Sequence, residues 1–321
     1  MKDFCIVGSG ISGSTIANLL SKKYSVEIFD KARGPGGRAS NRRYKNNLSF
    51  DHGLQYISPK THGFNKFILD LNKKKIIKEW TGHHLDFSFK KKENSIKYIG
   101  LKGNNDICKY LIKNIKCNYH TNVTHIKFNS NYWTITLNNK DKVYFKNLIL
   151  TCPFPQLKKL SSKYLNKQIL NLIPKMMPNI TVMAAYKNYQ KIPINSIKFD
   201  DDVVAWASNE NTKKRFKSNL TLWTIQVNIK YSKKIINIYK NDKKKYQSEI
   251  LKRFEKLTGF DNKNVVNASI HGWKYAYTDR PTSILKSSWN NKINLGICAD
   301  WLLGPKAEDA WLSAHDLFKK I

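Results

Sequence analysis

The residues with the clearest chemistry are three glycines and an aspartate near the start of the chain. Gly8, Gly10 and Gly13 lie in the run Gly-Ser-Gly-Ile-Ser-Gly, directly after a short apolar segment. The first glycine permits a tight turn, the second lets backbone amides approach a pyrophosphate, and the third allows a helix to pack closely on a strand. Asp30, 17 residues after Gly13, has a carboxylate suited to ribose hydroxyls. The spacing therefore predicts a dinucleotide site.

A strand, a helix and a second strand must position these residues. Residues 3–7 are an apolar run that predicts the first strand, residues 14–20 favour a helix, and residues 26–30 predict the second strand. The helix N-terminus would face the glycine turn, and its partial positive charge favours phosphate. An aspartate at position 30, where a basic residue would bind a 2′-phosphate, favours FAD or NAD over NADP.

A second glycine-rich loop favours FAD over NAD. Residues 33–38, Arg-Gly-Pro-Gly-Gly-Arg, follow Asp30 closely, and a loop of this kind has no role in a nicotinamide dehydrogenase. It resembles the second phosphate-side motif of the amine-oxidase group of flavoproteins, and residues 51–56 resemble the flavin-contacting strand of that group. Together these motifs resemble renalase and its bacterial relatives, which are small FAD-dependent oxidases.

The resemblance extends in order along essentially the whole chain. Residues 119–128, 148–156, 271–276, 294–301 and 307–313 are similar to the remaining FAD-domain motifs, the aromatic segment and the C-terminal helix of the family. It implies non-covalent FAD, since no cysteine has a setting that suggests attachment to the ring. The implied cofactor contacts are Gly8, Gly10, Ser12, Gly13, Asp30, Lys31, Gly36, Gly37, Arg38, Gln55, Tyr56, Val123, Asp300, Ala310 and Trp311.

Two positions depart from the family pattern. Ala299 stands where the third motif usually has glycine, which is a modest steric change. Asp309 stands where the C-terminal helix usually begins with a small residue under the flavin. A carboxylate there would lower the redox potential of the ring unless the side chain points to solvent.

We predict an α/β fold with two domains. The first is a Rossmann-like, glutathione-reductase-type FAD-binding domain formed by residues 1–60, 101–174 and 277–321. The second is a discontinuous, mixed α+β substrate domain formed by residues 61–100 and 175–276. No linker or internal repeat divides the chain, so we expect the domains to pack tightly.

Five segments have patterns clear enough to assign elements within these domains. Residues 121–145 alternate apolar and polar positions and predict a three-stranded antiparallel meander. Residues 242–257 have apolar side chains at helical spacing, with Gly259 as the expected C-cap. Strand-like segments at 181–186, 203–207 and 220–227 are expected in the substrate domain.

The family resemblance implies oxidation of the 2- and 6-dihydro isomers of NAD(P)H to NAD(P)+, with electrons passed to O2 to give H2O2. A flat slot over the flavin would hold the substrate, and its candidate residues are Trp223, His271, Trp273, Tyr275 and Trp301. An amine oxidase or another flavin dehydrogenase on the same scaffold is the alternative, because a single sequence shows the substrate domain least clearly. The third possibility is a basic, non-catalytic module that retains FAD.

Composition limits the partners. The 321 residues include 57 Lys+Arg and 23 Asp+Glu, for a net charge of +34. Lysine clusters recur along the chain without an evident focus, so we expect no specific nucleic-acid partner. Five scattered cysteines favour a reducing, cytoplasmic compartment and no metal site. No apolar run approaches the roughly 20 residues that span a bilayer.

Overall fold

The computed structural model describes residues 1–45, 47–86, 88, 96–187, 193–278 and 285–321. Strands are numbered along the chain. They are β1 Lys2–Val7, β2 Val26–Phe29, β3 Asn41–Arg43, β4 Ser49–Asp51, β5 Ile77–Glu79, β6 His83–Leu85, β7 Tyr98–Gly100, β8 Lys116–Asn118, β9 Val123–Asn129, β10 Tyr132–Leu137, β11 Asp141–Leu150, β12 Met176–Tyr186, β13 Ile194–Lys198, β14 Val204–Asn209, β15 Thr221–Val227, β16 Val265–Thr278, β17 Ser288–Asn290 and β18 Leu295–Ile297.

Helices complete the secondary structure of the described residues. The α-helices are α1 Ile11–Leu20, α2 His62–Lys73, α3 Asp106–Leu111, α4 Phe154–Ser161, α5 Lys167–Leu170, α6 Ile229–Ile235, α7 Lys243–Thr258 and α8 Ala307–Phe318. Short 3-10 turns lie at Gly37–Ala39, Ser162–Tyr164, Glu210–Lys213, Asn262–Asn264 and Asp300–Leu302.

The first sheet carries the glycine turn. Its strands follow the order β17-β18-β11-β1-β2-β8, and β1 pairs in parallel with both β2 and β11. Parallel strands are buried on both faces, which explains the apolar run at residues 4–7 of β1. The predicted strand, helix and strand at the start of the chain are therefore present as β1, α1 and β2.

The predicted meander extends from this sheet. β9, β10 and β11 form antiparallel pairs, in which Trp133 of β10 lies opposite both Phe128 and Phe145. Trp133 and Ile135 alternate with half-buried threonines, so one face of β10 packs into the core. The alternation seen in the sequence thus corresponds to one buried face.

The second sheet carries the other half of the expected site. Its order is β16-β12-β15-β14-β13-β6, and its central strands pair antiparallel. Helix α7 covers one face with Ile250 and Phe254, and ends at Gly259, which has a φ of 77°. Positive φ favours glycine, as the C-cap prediction requires.

The first domain includes more of the chain than residues 1–60. Helix α2 belongs to the predicted substrate domain by sequence, but Phe64, Ile68 and Leu71 pack in the same core as Phe4 and Ile6 of β1. The reason is its amphipathic pattern, which buries one stripe against the first sheet. Among the described residues between 61 and 100, only β6 joins the second sheet.

No helix among the described residues has both the length and the apolar composition needed to cross a bilayer. Within the same residues, no group of three His, Cys, Asp or Glu side chains is arranged to hold a metal ion.

Candidate active site

Two glycine loops form the phosphate end of the site and touch each other. The amide of Gly36 donates a 2.9 Å hydrogen bond to the carbonyl of Ser9. A Cβ on Gly37 would lie 3.3 Å from Cα of Gly10, so the two backbones pass with no room for a side chain. Gly36 and Gly37 both have positive φ, which explains the paired glycines.

The first loop has the geometry of a dinucleotide turn. Gly8 has a φ of +105°, and a Cβ on Gly13 would lie 2.0 Å from the carbonyl oxygen of Gly8. Only glycine therefore lets α1 approach β1. Because Ser14 makes the first helical hydrogen bond, to Gly10, the amides of residues 11–13 precede the helical ladder and face the turn.

Gly10 provides the test of whether this site fits FAD. A Cβ built on Gly10 meets nothing closer than the carbonyl oxygen of Gly36 at 4.0 Å. The glycine is thus not required by packing within the chain, and a side chain there would instead fill the space in front of the helix N-terminus. A pyrophosphate needs that space, so the residues present fit the group.

Asp30 lies beside the first loop, but the chain already uses its carboxylate. Its Oδ2 accepts hydrogen bonds from the amide of Ser9 at 2.7 Å and from Ser9 Oγ, while Oδ1 accepts from the amide of Ala32 at 2.8 Å. Asp30 therefore fixes the glycine turn, and Oδ1 keeps lone-pair capacity for a ribose hydroxyl. The neighbouring Lys31 is exposed.

Arg38 and Asp300, predicted separately as cofactor contacts, form one ion pair. Arg38 donates to both carboxylate oxygens of Asp300, at 2.7 and 2.6 Å, and to the carbonyl of Ala276 at 3.0 Å. A bidentate pair of this kind fixes the orientation of both the guanidinium and the carboxylate.

The structure also joins Ser12 to Ala310, whose carbonyl accepts a 3.1 Å hydrogen bond from Ser12 Oγ. Helices α1 and α8 are thereby held together at the glycine turn.

The structure places Val123 and Asp309, two residues singled out from the sequence, in different surroundings. Val123 begins β9, is buried, and packs in the same core as Phe29 at the end of β2, which is consistent with a strand beside the adenine. Asp309 caps α8, where its carboxylate accepts a 2.8 Å hydrogen bond from the amide of Lys306. The concern that Asp309 acts on the flavin is therefore not supported, since its position in the first turn explains the acid.

A row of side chains crosses the second sheet toward residues 52–56. Trp206 lies opposite Gln226, which lies opposite Thr181, which in turn lies opposite His271. Side chains at paired positions share one face of a sheet, so these four form a continuous strip. The strip joins an aromatic end, a polar centre and an imidazole end.

Residues 52–56 lie along this strip. Gln226 Nε2 donates a 2.8 Å hydrogen bond to the carbonyl of Gly53. The rings of Tyr56 and Trp206 are 6.4 Å apart at one end, and the rings of His52 and His271 are 4.9 Å apart at the other. The structure thus assembles two predicted residues, Tyr56 and His271, with three that the sequence analysis did not select.

Trp273 completes the imidazole end. Its ring lies 4.5 Å from that of His271 and 5.0 Å from that of His52, and its Nε1 donates a 2.8 Å hydrogen bond to the carbonyl of His52. Both Trp273 and His271 are half-buried, as residues lining a slot would be. Tyr275, two residues further along β16, is also half-buried.

Burial keeps the imidazole end uncharged. Burial, together with His271 and Arg42, lowers the pKa of His52 to about 3. Burial, together with Arg42 and Lys240, lowers the pKa of His271 to about 4. Both rings are therefore neutral near pH 7, and the positive charge of Arg42 helps to lower both pKa values.

Two of the predicted slot tryptophans are core residues. Trp223 is fully buried on the opposite face of β15, where it packs against Phe254 and Phe260 at 5.6 and 5.4 Å. Trp301 is 1 % exposed and packs against Phe154 at 5.2 Å. The predictions for both were wrong because strand alternation and core packing turn these rings away from the slot.

The side chains of two further predicted cofactor contacts, Trp311 and Gln55, contact other parts of the chain. Trp311 packs between Phe67 and His315, with ring centroids 5.6 and 3.9 Å away, and so joins α8 to α2. Gln55 is buried, and its side-chain oxygen accepts hydrogen bonds from Ser208 at 3.1 Å and Lys213 at 3.4 Å. Neither side chain is directed by these contacts toward the glycine loops.

Gln55 contacts a buried charge cluster that the sequence analysis missed. We define this cluster as Asp51, Glu210, Lys213 and Arg215, all of which are at most 3 % exposed in their side chains. Lys213 Nζ lies 2.9 Å from a carboxylate oxygen of each acid, and Arg215 pairs with Asp51. Because Asp51 ends β4 and the other three follow β14, the cluster links the flavin-contacting segment to the second sheet.

The charge cluster shifts its acids in opposite directions. Burial raises the pKa of Asp51, but Arg215 and Lys213 outweigh it and hold that pKa well below its usual range. Burial raises the pKa of Glu210, although Lys213 opposes it. The sequence offered no signal for the cluster, since its members look like four ordinary charges in a strongly basic chain.

Cysteine chemistry is suppressed near the first sheet. Burial raises the pKa of Cys152 to about 12, and burial also raises the pKa of Cys298. Both remain thiols near pH 7, which leaves them poor nucleophiles.

Comparisons with known proteins agree with this geometry. A family model described as an NAD(P)-binding Rossmann-like domain matches residues 6–68. Renalase from Mus musculus is 27% identical over 177 residues, which are 52% of this chain and 51% of renalase. The chain therefore aligns with about half the length of this curated relative.

Solved structures share the fold across the whole chain. A protein from Exiguobacterium sp. 255-15 assigned as a protoporphyrinogen oxidase has a TM-score of 0.75 at 10% identity, covering 99% of this chain and 98% of its own. A putrescine oxidase solved with putrescine has a TM-score of 0.71 at 10% identity, covering 99% and 97%. At this identity the likeness shows the fold, and the predicted two-domain α/β architecture is confirmed.

The renalase match and these folds also confirm the predicted resemblance and indicate FAD as the cofactor. The chain is thus similar in sequence to renalase over about half its length, and it shares its fold with solved oxidases.

Proposed function

We propose that this protein is an FAD-dependent oxidase of 2- and 6-dihydro isomers of NAD(P)H, with O2 as the electron acceptor. The observation that carries the proposal is the strip formed by Trp206, Gln226, Thr181 and His271 opposite residues 52–56. Strands are about 4.8 Å apart, so three steps across the sheet span roughly 14 Å. That is wide enough for a flat dihydropyridine ring.

The polar centre of the strip supports a neutral, hydrogen-bonding substrate ring. Gln226 places an amide between the two aromatic ends, and because its Nε2 donates to the Gly53 carbonyl, its side-chain oxygen is the group that can accept from a substrate. The Thr181 hydroxyl is buried and donates to Asn179. Tyr56 and Trp206 are inclined at 46°, so they do not form a parallel pair enclosing a narrow space. Rings inclined in this way do not form the narrow aromatic cage that would favour a small amine.

Charge around the slot supports the same substrate. Arg42 and Lys240 are close enough to lower the pKa of His271. Positive charge at this end attracts the phosphates of a dinucleotide and repels a protonated amine. An amine oxidase on this scaffold remains the alternative, and this field is the observation against it.

The roles of the chain's own residues follow from these contacts. The glycine loops and the N-terminus of α1 would bind the FAD pyrophosphate, and the Arg38–Asp300 pair would fix the neighbouring backbone. Bound FAD would supply the hydride acceptor and pass electrons to O2. Trp273 and His271 would orient the substrate ring, and no side chain needs to remove a proton, because a dihydronicotinamide becomes NAD(P)+ by losing hydride alone.

Anaerobic titration with 6-dihydro-NAD tests the proposal. We expect stoichiometric loss of the visible flavin bands, formation of NAD+, and return of the bands with H2O2 on admission of air. The same titration with putrescine and other amines is the control for the alternative. Bands that persist with both dihydro isomers but disappear with an amine would overturn the proposal.

A further inference from the structure

A buried histidine at the slot has one ring nitrogen without a partner. His52 is 7 % exposed, and its Nδ1 has no hydrogen-bond partner among the residues that the structure describes. Burial keeps the ring neutral. A neutral histidine carries its proton on Nε2 in the more stable tautomer, which leaves Nδ1 as an acceptor.

Among the described residues, no neighbour of His52 supplies the missing donor. The indole N–H of Trp273 is already donated to the His52 carbonyl at 2.8 Å, which holds the backbone of His52 in place. His271 packs on the ring at 4.9 Å with an interplanar angle of 81°, as an aromatic neighbour and not as a hydrogen-bond partner. A buried acceptor without a partner is unfavourable, so a ligand that brings an N–H is favoured there.

We propose that Nδ1 of His52 accepts a hydrogen bond from the carboxamide N–H of a bound nicotinamide, which makes His52 a specificity-determining residue of the slot. The inference rests on the proposed function, since it names the substrate group that the imidazole end recognises. A carboxamide has two N–H donors beside a carbonyl, so it can satisfy Nδ1 and still bond to a second group. A ring without an N–H leaves Nδ1 unpaired.

Binding of two unreactive dinucleotides tests this without turnover. The probes are NAD+ and its 3-acetylpyridine analogue, in which a methyl group replaces the amide nitrogen with no change in charge. Dissociation constants for the FAD-loaded protein are measured by calorimetry and by perturbation of the visible flavin bands. We expect NAD+ to bind about tenfold more tightly than the analogue. Equal affinities in the unmodified protein would overturn the proposal.

Two matched variants locate the preference at Nδ1. His52→Gln keeps an amide N–H near the position of Nε2 but places no acceptor at Nδ1, so the tenfold ratio should fall to near one. His52→Asn places its side-chain oxygen near the position of Nδ1, so most of the ratio should remain. An unchanged ratio in His52→Gln would contradict the proposal.

Two further outcomes distinguish a failure of the His52 proposal from a failure of the proposed oxidation. If His52→Gln alters FAD affinity or the spectrum of the protein without dinucleotide, Nδ1 serves the flavin and the proposal is overturned. If the binding ratio is as expected but 6-dihydro-NAD leaves the flavin bands unchanged, the proposed oxidation fails while the nicotinamide site stands.

Discussion

At the scale of single residues, the glycines of the first loop serve different purposes. Gly13 is required for folding, because a Cβ would lie 2.0 Å from the Gly8 carbonyl oxygen. Gly10 is not, because its Cβ would have only one neighbour, at 4.0 Å. A glycine kept where the chain leaves space points to a ligand that uses that space.

We therefore predict that Gly10→Ala folds normally but binds FAD poorly. The added methyl group would occupy the space of the pyrophosphate, and we expect an affinity loss of about tenfold or more, equivalent to about 1.4 kcal/mol. FAD titration monitored by flavin fluorescence measures the loss, and thermal melting of the cofactor-free protein checks the fold.

Gly34→Ala is the matched control, because a Cβ at Gly34 has nothing within 4 Å and lies in the second loop. It should leave both FAD affinity and melting temperature unchanged. Equal FAD affinity in the two variants would show that Gly10 does not face the cofactor.

At the scale of elements, the buried charge cluster joins β4 to the turn after β14. Lys213 lies between Asp51 and Glu210 at 2.9 Å from each, and no member is more than 3 % exposed. Buried charges are tolerated only when they are paired. The cluster therefore fixes the segment that follows Asp51, which carries His52, Gly53 and Tyr56 into the slot.

We predict that Lys213→Met lowers the free energy of unfolding by about 3–5 kcal/mol, because it leaves two buried acids with less compensation. The double variant Lys213→Met, Glu210→Gln should recover part of this loss, since it removes one unpaired charge together with its partner. Urea denaturation of the single and double variants measures the coupling. Strictly additive losses would indicate that the two side chains do not interact.

The sequence was sufficient to predict the elements but not every side chain of the site. Glycine spacing and alternation predicted β1, α1, β2 and the meander, because these depend on local geometry. The slot depends on which face of each strand turns inward. Trp223 and Gln226 are three residues apart on β15 and lie on opposite faces, a difference that only strand pairing reveals.

At the scale of the whole molecule, the net charge of +34 is large for 321 residues. We predict weak binding to polyanions such as heparin or RNA at about 50 mM salt that is lost by about 200 mM, because such binding depends on counterion release. Fluorescence anisotropy with RNAs of unrelated sequence should give equal affinities. A strong preference for one sequence would contradict the expectation of no specific nucleic-acid partner.

Buried neutral histidines make the fold sensitive to acid. His84 is 6 % exposed, and it accepts at Nδ1 from Ser196 Oγ at 2.7 Å while Nε2 donates to the Trp80 carbonyl at 3.3 Å. Burial, together with Lys97, lowers the pKa of His84 from 6.5 to about 4. In the neutral ring both nitrogens are satisfied, whereas protonation requires the Ser196 hydroxyl to change from donor to acceptor and places a charge in a buried site.

The direction of the pH effect follows from this difference in pKa. Between pH 6.5 and 4 the unfolded chain binds a proton at His84 that the folded chain does not, so the free energy of unfolding falls as the pH decreases through that window. Allowing for solvent near the ring, we expect His84 to account for about 1 kcal/mol of the loss at pH 4.5. His84→Asn retains an acceptor for Ser196 and does not titrate. Urea denaturation at pH 7.5 and 4.5 should therefore show a loss about 1 kcal/mol smaller in the variant, and equal losses would mean that His84 is protonated in the folded state.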